Sequence, residues 1–184
     1  VKRIIGIIGP IAAGKDTAAD YIADTLHVPS FQISAPLKMI CAERGIEPIR
    51  QNLISLGTSL AKEKGEAYLA EYLLGKVDED AVITGLRQLA QINYLRSHSD
   101  LTLVSIDAEA EVRFKRAAAN EKLGEAKTLE EFIEREVAEN SAPNVQRLFE
   151  CMELADIRLL NNGDLKMLFD NLNDKVIDSF GLSS

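Results

Sequence analysis

The amino-acid sequence predicts an α/β protein: a parallel sheet of about five strands with helices on both faces, three layers in all. Three observations carry that reading. The run Ile4-Ile5-Gly6-Ile7-Ile8 is strand-sized and has no polar position, as a strand buried on both faces requires. It leads at once into Gly9-Pro10-Ile11-Ala12-Ala13-Gly14-Lys15-Asp16-Thr17, a tight turn with glycines at both ends that opens a helical pattern. From there, short β-prone runs alternate with helical periods, and strands that alternate with helices pair in parallel.

The turn has the complete spacing G-x-x-x-x-G-K and the context of a phosphate-binding loop, strand before and helix after. Gly9 and Gly14 permit backbone angles and close approach that a side chain would block. Backbone N–H groups along Ile11, Ala12, Ala13 and Gly14 can then point inward at phosphate oxygens. The helix that follows adds its positive N-terminal end. Lys15 places an ammonium on the outer phosphates of a nucleoside triphosphate. Asp16 stands where the usual pattern has a Ser or Thr to hold magnesium. A carboxylate is a hard ligand, so Asp16 is the candidate for the metal, with Thr17 the other.

Residues 15–26 carry apolar positions at Ala18, Ala19, Ile22, Ala23 and Leu26, a helical period, and His27 closes that helix. Residues 28–34 read as a second strand, with Pro29 limiting how central it can be. Residues 36–45 and 50–75 read as helices, broken at Gly45 to Pro48 and near Lys64-Gly65. This excursion is too long for a simple crossover, and α/β enzymes build substrate sites in such insertions. Residues 81–84 form a short strand ending in Gly85-Leu86-Arg87, and 88–97 return as a helix. Residues 101–106 are the most β-like run, followed by Asp107 and a charged helix from about 109 to 120. Asn120 to Lys127 is polar and aperiodic, a loop or lid tip. Thr128-Leu129-Glu130-Glu131 then opens a helix as a capping box. A helix from Pro143 to residue 153, a last strand at 156–160, the turn Asn161-Asn162-Gly163 and a closing helix over 164–178 complete the chain.

The organisation is one domain. Its core comprises 1–34, 80–118 and 154–184, with a helical acceptor-side insertion at 35–79 and a lid region at 113–140. With 184 residues and 46% hydrophobic content the chain has enough apolar surface for a real core. No apolar run reaches the roughly 18 residues of a membrane helix, and the N-terminal run feeds the loop rather than a cleavage site. Cys41 and Cys151 have no metal-ligand spacing and read as reduced thiols, so the expected location is the cytoplasm. A net charge of −8 argues against nucleic acid as a partner. It also demands local arginines around any bound nucleotide, since screening over about 8 Å makes local charge decisive.

Ligands of parallel sheets bind at the carboxyl ends of the strands. That rule gathers the loop, Ser34, Thr84 to Arg87, Asp107 and Asn161 to Gly163 on one rim. Phosphoryl transfer asks mainly for positioning and positive charge. Arg87, just past a core strand, is a candidate fork for the acceptor's phosphate. Arg113 and Arg116 lie at i and i+3 on one helix; with Arg135 they are candidates to close over the triphosphate. Thr84 sits where an acidic residue would best serve a metal or a base, yet it cannot ionise. Asp107 is a weaker metal candidate and a more natural helix cap. His27 and His98 are isolated.

The loop GPIAAGKDTAADYIA, the turn TGLR, and the pair Arg113 and Arg116 resemble those of P-loop nucleoside monophosphate kinases. The nearest likeness is to deoxynucleoside monophosphate kinases and archaeal dephospho-coenzyme A kinase-like proteins. Ser34-Ala35-Pro36-Leu37-Lys38, Arg50-Gln51-Asn52-Leu53 and Leu56-Gly57-Thr58 are similar to the family's acceptor side. The resemblance implies a P-loop NTPase sandwich in which ATP, with magnesium, gives its γ-phosphate to a nucleotide acceptor, a (deoxy)nucleoside monophosphate first. It implies that Ser34, Lys38, Arg50 and Arg87 face the acceptor and that Asn162-Gly163 contacts adenine. Thr84 departs from the Asp-Gly that many relatives carry there. The alternatives are dephospho-coenzyme A kinase-like transfer to a ribose hydroxyl, or a nucleotide-binding regulator without transfer activity. Oligomeric state is not legible.

Overall fold

The computed structural model describes residues 1–121, 124, 126–141 and 147–181, leaving out the side chains of Arg50 and Ser141. Five parallel strands make one sheet in the order β2-β3-β1-β4-β5. They are β1 (Arg3–Ile8), β2 (Ser30–Gln32), β3 (Ala81–Thr84), β4 (Asp100–Asp107) and β5 (Ile157–Leu160). The helices are α1 (Lys15–Leu26), α2 (Ala35–Arg44), α3 (Arg50–Lys64), α4 (Tyr68–Leu74), α5 (Leu89–His98), α6 (Ala110–Ala119), α7 (Leu129–Ser141), α8 (Leu148–Glu153), α9 (Leu165–Leu172) and α10 (Asp178–Gly181).

β1 runs through the middle with Ile4 beside Ala81 on one side and Leu101 on the other. Alternation along the strand sends its isoleucines to two cores. Ile4 and Ile8 join Ile83, Leu103 and the inner faces of α4, α5 and α8. Ile5 and Ile7 join Val82, Val104, Ile106, α1 and α9. Burial on both faces explains why Ile4 to Ile8 of this strand include no polar side chain.

At the amino end of the sheet, Arg3 ties the start of β1 to Asp80, just before β3, and to Phe180 of α10. Its backbone N–H and its Nε donate to the two oxygens of Asp80 at 2.7 and 2.8 Å, and a terminal N–H donates to the Phe180 carbonyl at 2.8 Å. The other end of the sheet is left for the site.

Several elements differ from the sequence reading. β2 is shorter than residues 28–34 and lies at the sheet edge, as Pro29 would have it. The closing helix is unbroken over 165–181 but not α throughout: Asn173–Ile177 widen into a π turn between α9 and α10. The cause is the apolar stripe Leu168, Leu172, Val176 and Phe180, which steps by four residues. In an α-helix such a stripe drifts about 40° per step, and a wider turn takes up the drift. The helix expected from Pro143 is observed as α8, and residues 142–146 lie outside the described set.

Segment 35–79 forms α2, α3 and α4 around a small core of its own, Leu37, Ile40, Cys41, Leu56 and Leu60. α4 links it to the sheet through Ala70, Leu73 and Leu74. The capping box at α7 forms as expected, with the Glu131 N–H donating to Thr128 Oγ1 and the Thr128 N–H to Glu131 Oε2, at 3.2 and 3.3 Å. Of the polar stretch 120–127, residues 122, 123 and 125 are outside the described set, while Ala126 packs under Phe132. Among the described residues no helix is long and apolar enough to cross a membrane.

Candidate functional site: a phosphate loop and its cleft

The loop leaves β1 and returns into α1, so its conformation is set by two rigid elements. Gly9 is the point of closest approach, for an added Cβ would collide with the Ile106 carbonyl oxygen. Gly14 caps α1 at φ 100°, and a Cβ there would sit 2.5 Å from Asn161 Nδ2. Ala12 also takes the left-handed region, at φ 59°, a strained choice for a residue with a side chain. What holds the loop in this shape is Asn161. Its Nδ2 donates to the Ala13 carbonyl at 2.9 Å, and its own N–H donates to the Asp107 carbonyl at 2.7 Å.

A cleft of about 670 Å³ opens beside the loop. Ile11, Ala12, Gly14, Lys15, Asp16 and Thr17 line it, with Arg116 and Gly163 from the far wall. The loop and α1 thus present backbone N–H groups, a helix N-terminus and an ammonium to one space, a cradle for polyphosphate. Lys15 lies 3.9 Å from Asp16 Oδ2, and the Asp16 side chain is 52% exposed. Gly9 and the buried Ala13 shape the loop from behind the cleft.

The two paired arginines part company. Arg113 is buried, donates through Nε to the Ala108 carbonyl at 2.8 Å and grips Glu136 with both terminal nitrogens at 2.7 and 2.8 Å. It therefore faces α7 rather than the cleft. Arg116 does line the cleft, but its terminal nitrogens donate to the carbonyls of Asn161 and Gly163 at 2.8 and 2.9 Å. With those edges committed, its flat face is what it offers a ligand. Arg135 is 41% exposed, pairs with Glu139 at 3.4 Å and lies against Gly124.

Asn162, expected at the base, instead clasps Glu109. It accepts the Glu109 N–H at 2.8 Å and donates to Glu109 Oε1 at 3.0 Å. The neighbouring Asn161 is the residue that reaches the loop. Strand alternation was the available signal, since Leu159 is buried and Leu160 exposed, so the next side chain turns inward. Asn120, Asp164, Leu165, Lys166 and Leu168 complete the cleft and carried no such signal. Asp107 accepts the Ala108 N–H and is not the cap of α6, which begins after Glu109.

On the other side of the loop, Arg87 follows the left-handed Gly85 and the buried Leu86 at the end of β3. Its N–H donates to Gln91 Oε1 and its carbonyl accepts from the Arg147 N–H at 3.0 Å. Burial lowers its guanidinium pKa from the ordinary value, while the carboxylates of Glu139 and Asp16 oppose that shift. Both carboxylates therefore act on this arginine. Thr84, the last residue of β3, is buried and neutral. Ser34 caps α2, Lys38 is exposed one turn on, and Arg50 opens α3.

Among the described residues, no group of three or more His, Cys, Asp or Glu stands ready to hold a metal by itself. Asp16 and Thr17 at the cleft suit a hard cation that brings its other oxygen ligands on a polyphosphate.

No family model matches the chain. It is similar to a UPF0200 protein of Hyperthermus butylicus, 27% identical over 90% of this chain and 88% of that one. A UPF0200 protein of Methanocaldococcus jannaschii is 28% identical over 74% and 72%. A UPF0200/UPF0201 protein of Archaeoglobus fulgidus is 28% identical over 88% of this chain, which spans about half of that relative, 51%. Among solved structures, shikimate kinase from Aquifex aeolicus aligns over 98% of this chain and 99% of its own, with TM-score 0.55 and 17% identity. TT1252 from Thermus thermophilus gives TM-score 0.62 at 20% identity over 96% and 97%. The solved structures show the fold, and they single out neither the monophosphate kinases nor the dephospho-coenzyme A kinases that the motifs resemble. The chain has the fold of the P-loop small-molecule kinases.

Proposed function

We propose that this chain is an ATP-dependent small-molecule kinase that passes the γ-phosphoryl group to the phosphate of a nucleoside monophosphate, ribo or deoxy. The observation that supports it most is the pairing of the phosphate loop and its cleft with Arg87, which stands across the loop at the end of the next strand. A mere nucleotide binder has no use for a second anion grip there.

In this reading the loop N–H groups and Lys15 hold the β- and γ-phosphates, and Arg116 lays its flat face against the base. Asp16 or Thr17 would hold a magnesium ion, which would supply charge neutralisation at the transferring group. Arg87, Ser34, Lys38 and Arg50 address the acceptor. α7 is the lid, and Arg135 on it adds positive charge over the transferring group, whereas Arg113 serves the lid from behind.

Thr84 decides between acceptors. A hydroxyl acceptor wants a carboxylate to take its proton, and the end of β3 offers only a buried neutral side chain. A phosphate acceptor arrives already ionised and needs no base. The test is a magnesium-ATP transfer screen against ribo- and deoxynucleoside monophosphates, dephospho-coenzyme A, shikimate and water. Lys15→Ala serves as the control, expected to lose about 10²–10³ in rate. Turnover with a monophosphate alone supports the reading. Tight ATP binding with no transfer to any acceptor overturns it.

A further inference from the structure

The acidic face of α7 contains one carboxylate that behaves unlike the rest. Glu130, Glu131, Glu134 and Glu139 are exposed, but the Glu136 side chain is only 13% exposed and meets an Arg113 that is 6% exposed. Burying a charge pair is costly, and such pairs are weak contributors to net stability. Their best-attested use is to select one arrangement among several of similar energy.

α7 needs such a selection. Its apolar contact among the described residues is small: Phe132 and Ala126 pack on Ala117, with Phe114 and Ala12 at the margin. One aromatic ring cannot by itself fix the rotation of a thirteen-residue helix. The Arg113 guanidinium also lies 5.7 Å from the Phe132 ring, so ring and ion pair are seated together. Arg113 is in turn anchored to the Ala108 carbonyl at the exit of β4. The same helix then presents Arg135 and, one turn on, Glu139, whose carboxylate pairs with Arg135. Ala12, one of the contacts under the lid, is the left-handed residue of the phosphate loop.

We propose that Glu136 is a positioning residue: its buried pair with Arg113 seats the lid helix against the phosphate loop before nucleotide arrives, and so sets where Arg135 stands over the transferring group. This rests on the kinase reading for its catalytic consequence, but not for its structural one.

The experiment uses Glu136→Gln, which keeps size and shape while removing the charge. Hydrogen exchange in the nucleotide-free protein is expected to speed up about tenfold across residues 129–141, with β1 and β4 unchanged as the check of folding. In the transfer assay kcat falls about tenfold while KM for ATP moves less than about threefold, because positioning rather than binding is lost. Glu136→Asp recovers part of both. Arg113→Met gives the same phenotype, and the double variant is no worse than either single one. Unchanged exchange in α7 overturns the proposal, as does faster exchange with an unchanged kcat. It also falls if Arg113→Met weakens ATP binding while Glu136→Gln strengthens it, for Arg113 would then be a phosphate ligand restrained by Glu136. If the wild type transfers to no acceptor, the kinase reading fails separately and the exchange result alone decides this one.

Discussion

On one side of the rim the site is made of backbone; on the other it is made of side chains. Gly9, Gly14 and Ala12 place the phosphate loop by geometry, with Asn161 bracing it through the Ala13 carbonyl and Arg116 tied to two more carbonyls. The side that we propose for the acceptor has no such frame among the described residues. Ser34, Lys38 and Arg50 stand at the starts of α2 and α3, helices with a separate small core that reaches the sheet through α4. The contrast teaches where specificity can change. A frame of backbone groups recognises phosphate and little else, whereas helix-borne side chains can be exchanged without disturbing the sheet.

Substitution at Gly14 should give the largest effect. Gly14→Ala puts a Cβ at 2.5 Å from Asn161 Nδ2 in a backbone region that costs a side-chain-bearing residue about 1–3 kcal/mol. ATP affinity measured by calorimetry is expected to fall more than about tenfold, a loss of at least roughly 1.4 kcal/mol. Wild-type affinity would mean that the frame yields, and the contrast would lose its donor half. Arg116→Lys comes next. Lysine cannot bridge both the Asn161 and Gly163 carbonyls with one planar group, so KM for ATP should rise about fivefold to tenfold with kcat nearly kept. A drop in kcat alone would place Arg116 on the transferring phosphate instead.

These two residues also show what the sequence revealed and what it hid. The loop was legible because glycines at fixed spacing between an apolar run and a helix have one dominant use. The five-strand parallel sheet was legible because short β-prone runs alternate with helical periods along the chain. Arg113 was misleading: spacing on a helix tells which residues share a face, but it does not tell which partner claims them. Glu136 lies 23 residues further on and is one glutamate among several in an acidic stretch. Only tertiary packing singles it out. Asn161 and Asn162 are alike in composition, and the register of β5 decides that the first braces the loop while the second holds Glu109. The π turn at Asn173–Ile177 follows from a stripe that had to be measured against the sheet.

Asp80 sharpens the comparison from a third place, the end of the sheet away from both halves. Burial alone would raise its pKa, but hydrogen bonds from the Arg3 backbone and side chain, together with the Arg3 charge, hold it below the ordinary value. A depressed folded-state value means that the stabilisation is complete above about pH 4, the unfolded value. It is lost as pH falls through the folded value. Asp80→Asn is expected to cost about 1 kcal/mol in urea unfolding at pH 6 and progressively less as pH falls below about 4, partial exposure reducing the figure. ATP affinity should not change. A shift in affinity would show that the two ends of β3 are coupled.

Gly57 gives the smallest effect and the most direct test of the acceptor half. It lies inside α3, and the contact an added Cβ makes is with Leu37 Cδ1 at 3.4 Å, an ordinary separation against the end of a side chain. Nothing about its backbone requires glycine, unlike Gly14. Alanine there should gain about 0.5–1 kcal/mol from helix propensity alone. For a chain of this size that raises the thermal midpoint by about 1–4 °C, with KM for ATP unchanged. A lower midpoint would mean that α2 and α3 pack with as little tolerance as the phosphate loop. The acceptor half would then be a second rigid frame, and changing specificity through single side chains on these helices would carry a cost in folding.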